Sequence, residues 1–156
     1  MNGKNILASA YKEAVELHLK AVNPATGLLL DGEFCKAGEQ EINEALVSAT
    51  ESFEIYRNIN KDKKAAFLNA IADEIAAIGE DLVARASAES GLPLPRLQGE
   101  LGRTTGQLRL FANLVAEGSW VDAIIDTALP ERQPLPRSDI RRMLIPIGPV
   151  VVFGAS

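Results

Sequence analysis

The apolar positions of this chain follow a helical rhythm through its middle and an extended one at its end. Between Glu39 and Glu117 they recur every three or four residues, the spacing of helices that bury one stripe each. Ile42, Ala45, Leu46, Ala49, Phe53 and Tyr56 predict a first helix from Glu39 to about Arg57. Glu39 and Glu41 stand in its first turn, where unpaired N–H groups and the helix dipole favour negative charge. Asn60 reads as the cap of a second helix, whose stripe of Leu68, Ile71, Ala72, Ile75 and Ile78 runs as far as Gly79. A third, from about Glu80, carries Leu82, Val83 and Ala86 and stops at Gly91, with Pro93 and Pro95 forbidding continuation. The fourth and longest, from about Arg96 to Glu117, places Leu97, Leu101, Leu108, Phe111, Ala112 and Val115 on one face, and Gly118 ends it.

The flanks read differently. Tyr11, Val15 and Leu19, at spacing four, suggest a short amphipathic piece near the N-terminus. Asn23-Pro24-Ala25-Thr26-Gly27 is turn chemistry, and the apolar runs Leu19–Val22 and Leu28–Leu30 can pair across it, with a second turn at Asp31-Gly32. Beyond Gly118, the stretch from Leu129-Pro130 to Pro134-Leu135-Pro136 is an extended connector. Asp139 to Ile147 then predicts a partly alternating strand with Pro146 at an edge or bulge. Val150-Val151-Val152-Phe153, bracketed by Gly148-Pro149 and Gly154, predicts a strand buried on both faces, the kind found in helix-covered parallel sheets. In such sheets ligands sit just beyond the carboxyl ends of the strands, so Phe153-Gly154-Ala155-Ser156 is the natural place for chemistry. A lone strand of this kind leads us to expect further polypeptide to flank it.

Composition narrows the classes. A length of 156 residues with 47% hydrophobic content suits an ordinary globular domain, and the net charge of −5 argues against a nucleic-acid surface. Arg132, Arg137, Arg141 and Arg142 do gather near the end, but Glu131 and Asp139 interrupt them. No run approaches the roughly twenty apolar residues that span a bilayer. Ile6 to Ala10 is too short for a signal-peptide core. A single cysteine, Cys35, excludes an internal disulfide and points to a reducing, cytoplasmic setting. Three glycines inside the longest helix, Gly99, Gly102 and Gly106, each cost about 1 kcal/mol relative to Ala. They suggest a backbone that another element approaches closely, since no strand precedes them as a dinucleotide loop would require.

Three stretches together resemble one family. Pro146-Ile147-Gly148-Pro149 with the valine run and Phe153-Gly154-Ala155-Ser156 is similar to the Pro-x-Gly, strand and tight turn of NAD(P)+-dependent aldehyde dehydrogenases. Val22-Asn23-Pro24-Ala25-Thr26-Gly27 resembles that family's N-terminal turn. The segment from Arg96 to Phe111 (RLQGELGRTTGQLRLF) resembles the α-ketoglutaric semialdehyde dehydrogenase branch. The resemblance implies an α/β fold with a Rossmann-like cofactor domain, of which residues 1–156 would form the helix-rich N-terminal portion plus the first strands. Residues 134–149 would be a connector and oligomerisation-type strand. It implies NAD or NADP as cofactor, an aldehyde as substrate, a homodimer or homotetramer, and no nucleic-acid or membrane partner.

The same resemblance assigns cofactor contacts to Phe153, Gly154, Ala155 and Ser156, mainly through backbone. Ala155-Ser156 departs from the Pro-Trp found elsewhere in the family, which would open the pocket and suits a semialdehyde. The family's chemistry uses a Cys thiolate, an Asn amide at the oxyanion and a Glu that directs water, and none of these maps onto residues 1–156. Cys35 lies far from the nucleophile motif and reads as a packing cysteine; His18 has no ligand-spaced partner and reads as a surface residue. Ser156 lacks the Gly-x-Ser-x-Gly elbow of a hydrolase. The chain alone is therefore expected to be catalytically silent. Its alternative reading is a non-catalytic helical interaction module, four helices packed as a bundle.

Overall fold

The computed structural model describes residues 3–8, 10–12 and 18–154. Its helices are α1 (Glu39–Tyr56), α2 (Lys61–Ala77), α3 (Gly79–Ser90) and α4 (Leu94–Glu117). Each boundary has a local cause. Glu41 reaches back to accept the Gly38 N–H at 2.9 Å, closing the first turn of α1. Asn60 accepts the Asp62 N–H at 2.8 Å as the cap of α2. Gly91 and Gly118 end α3 and α4 at φ 71° and 93°, left-handed values that a side chain would penalise. α4 begins two residues before the position expected from its pattern, with Pro95 tolerated in the first turn where its missing N–H costs nothing.

α2 and α4 run antiparallel and form the core. Ala65 and Ala72 of α2 and Thr105 and Ala112 of α4 are buried, with Ala72 and Ala112 at 0% exposure. Small side chains let the two backbones approach, and the buried Thr105 hydroxyl donates back to the Leu101 carbonyl at 3.1 Å. Polar ties cross the seam. Lys61 Nζ donates to the Ala116 carbonyl at 2.7 Å, placing a cation on the negative end of α4, and Arg109 pairs with Asp73 at 2.7 Å. α3 lies on α4 through buried Val83 and through Gly79, where an added Cβ would come within 2.8 Å of Leu101 Cδ2. α1 is not part of a four-helix bundle: it packs on β1 and meets α2 at its last turn, where Tyr56 stands edge-on to Phe67.

Three two-stranded antiparallel sheets surround this core among the described residues. β1 (Asn5–Leu7) pairs with β2 (Ala10–Lys12), β3 (His18–Leu19) with β4 (Phe34–Cys35), and β5 (Ile124–Asp126) with β6 (Ile140–Arg142). The expected hairpin at Asn23–Gly27 forms, with a bridge between Val22 and Leu29 and Asn23 Oδ1 accepting the Ala25 N–H. The expected amphipathic piece falls largely on residues 13–17, outside the described residues. Tyr11 belongs to β2 and Leu19 to β3, while Val15 lies outside the described residues.

The remaining corrections concern the glycines and the C-terminal arm. A Cβ added to Gly99, Gly102 or Gly106 would meet nothing within 4 Å, so the close approach they suggested is not present among the described residues. The strand expected over Asp139–Ile147 contracts to Ile140–Arg142, where β5 offers a partner; Leu144 N–H then donates to the Val121 carbonyl at 2.7 Å. Val150 to Phe153 is not a strand, and all four side chains are exposed. A strand is a paired state, and no described segment supplies a ladder to this one. In total the chain exposes 12118 Å². A compact monomer of 16.7 kDa would expose about 7,600 Å². The arm contributes to the excess, with Ile147 97% exposed and Phe153 90%.

Candidate functional site

Of the four positions expected to meet a cofactor, two can be placed. Phe153 and Gly154 lie at the end of the exposed arm, and a Cβ added at Gly154 would find open space. Ala155 and Ser156 lie outside the described residues. The approach to them is set by Gly148, whose φ of 147° is open to glycine and strained for other residues, so Pro149 onward takes a direction that a side chain here would oppose. What the arm presents is unpaired backbone after an apolar run, a surface suited to contacts made by N–H and C=O groups rather than by side-chain chemistry.

The other chemically capable residues gather on one face of the β3–β4 sheet. His18 stands directly opposite Cys35, and Lys20 and Glu33 follow two positions along on the same face. Lys20 Nζ lies 2.9 Å from Glu33 Oε1, and His18 Nδ1 lies 3.9 Å from Glu33 Oε2. The hydrogen bond from Lys20, then its charge, hold the Glu33 carboxyl below its ordinary range, with a smaller contribution from His18. This is a solvated ion pair, and it leaves the thiol without a base. Cys35 is half-buried and its backbone N–H is tied to the Gly3 carbonyl at 2.8 Å. No hydrogen bond reaches its sulfur among the described residues, and no group of three His, Cys, Asp or Glu side chains is arranged to hold a metal there. In this geometry His18 is exposed and Cys35 half-buried.

On the other side of the same sheet, Arg85 of α3 joins the hairpin to the helices. Its Nη1 donates to the Asp31 carbonyl at 2.6 Å, its Nε pairs with Glu89 at 2.6 Å, and its guanidinium stacks 5.5 Å from the Phe34 ring. Sequence reasoning gave Arg85 no role, because its link to the hairpin runs to Asp31, 54 positions away, and only the fold brings these two together. A second carboxylate with a lowered pKa, Glu117, sits where α4 ends. The Ser119 hydroxyl and N–H both donate to it, the hydroxyl being the larger influence.

Helices, hairpin and arm in this order are those of a known enzyme fold. The chain belongs to the aldehyde dehydrogenase family, whose sequence pattern matches residues 11–155. It is 51% identical over 139 residues to α-ketoglutaric semialdehyde dehydrogenase 2 of Azospirillum brasilense, a match covering 88% of this chain and 26% of that protein. It is 44% identical over 159 residues to the α-ketoglutaric semialdehyde dehydrogenase of Acinetobacter baylyi, covering 99% of this chain and 30% of the relative. The chain thus spans between 26% and 30% of the length of these relatives. A betaine aldehyde dehydrogenase of Staphylococcus aureus, solved in complex with NAD+, shares the fold with a TM-score of 0.74 at 16% identity, over 83% of this chain and 26% of its own. No described helix is long and apolar enough to cross a membrane.

Proposed function

We propose that this chain is the N-terminal portion of an NAD(P)+-dependent aldehyde dehydrogenase that oxidises α-ketoglutaric semialdehyde, or a similar semialdehyde of a small acid, to the carboxylic acid. The observation that carries this reading is the 51% identity sustained over 139 residues with the Azospirillum brasilense enzyme. In this reading Val150–Phe153 becomes a buried strand once the polypeptide that follows supplies its neighbours. Phe153, Gly154, Ala155 and Ser156 then form one wall of the cofactor site. The open space around Gly154 is compatible with close approach of a flat ring to the backbone. The nicotinamide, when bound, supplies the hydride acceptor. This chain's own residues orient it by backbone contact and contribute no nucleophile, acid or base.

Residues 134–149 serve as connector and oligomerisation-type strand, the whole enzyme being a cytoplasmic homodimer or homotetramer. The 12118 Å² of exposed surface supports the reading, because a segment that normally packs inside a larger enzyme carries apolar side chains on faces that are open here.

A chimaera tests it. This chain replaces the matched segment of the Azospirillum brasilense enzyme, and oxidation of α-ketoglutaric semialdehyde is followed by NADH or NADPH formation. We expect kcat/KM within roughly tenfold of the parent, a loss below about 1.4 kcal/mol in transition-state stabilisation. A chimaera that folds and binds the dinucleotide but prefers an unrelated aldehyde would overturn the substrate assignment. The isolated chain, assayed beside it, is expected to produce no NAD(P)H.

A further inference from the structure

We draw no further inference here: the strongest candidate, the open apolar groove of about 250 Å³ between α2, α3 and α4 lined by Ile75, Leu82, Val83, Ala86, Leu97 and Leu101, carries nothing because nothing in the structure shows what covers it.

Discussion

The arm from Met143 to Phe153 is more apolar in sequence than the α2–α4 seam, yet the seam is the core and the arm is open to water. The seam succeeds because a helix satisfies its own backbone and needs from its neighbour only a surface to pack on. Ala65, Ala72, Thr105 and Ala112 provide one at small cost in side-chain entropy. The arm has the opposite requirement. Its valines favour extended backbone, but extended backbone is satisfied only by another strand, and β5 reaches no further than Ile140–Arg142. Apolarity alone therefore did not decide burial; the source of the backbone hydrogen bonds did.

This contrast can be broken at the seam. Ala72→Asp places a carboxylate at a position with no exposure, at a cost of several kcal/mol. We expect the cooperative thermal transition seen by far-UV circular dichroism to disappear. A variant that still melted cooperatively near the parent's temperature would show that the seam is not the core.

Smaller changes sharpen it from both sides. Asn60→Ala removes the cap of α2 and is expected to lower stability by about 1 kcal/mol in urea denaturation, with an unchanged m-value. Gly106→Ala should act in the other direction. With nothing within 4 Å of the new methyl, the isolated chain gains up to about 1 kcal/mol from helix propensity. In the chimaera the same substitution reads whether another element lies on that face, since a close neighbour would turn the gain into a loss.

The smallest effect is expected on the arm. Val152, at 85% exposure, can become Lys with a change within about 0.5 kcal/mol in the isolated chain. In the chimaera the same Val152→Lys should abolish assembly, because a strand flanked on both faces cannot house an unpaired ammonium. Equal tolerance in both settings would sink the idea that this segment becomes an interior strand.

How much was legible beforehand follows the same division. The four helices were readable because their signals are local: Asn60, Gly91 and Gly118 act on neighbours in sequence, and the stripes repeat within each helix. β1 and β2 were not, since three-residue strands carry too short an alternation to outweigh the coincidence of Tyr11, Val15 and Leu19. The role of Gly99, Gly102 and Gly106 was inferred from their cost, and cost alone does not say which neighbour repays it. The candidate cofactor positions rest on resemblance alone. Arg85 showed at most its i,i+4 spacing to Glu89, and its link to Asp31, 54 positions away, left no sequence signal.

The Lys61 ammonium on the last carbonyls of α4 acts as an index mark between two rods. Sliding either helix by one turn would carry it about 5.4 Å from the Ala116 oxygen and break the contact. The contact marks one longitudinal setting of the seam across 55 positions of sequence, together with the Arg109–Asp73 pair and the buried alanines. Replacing that lysine with a shorter cation would remove one of the two polar marks and leave the alignment to Arg109–Asp73 and to the buried small side chains.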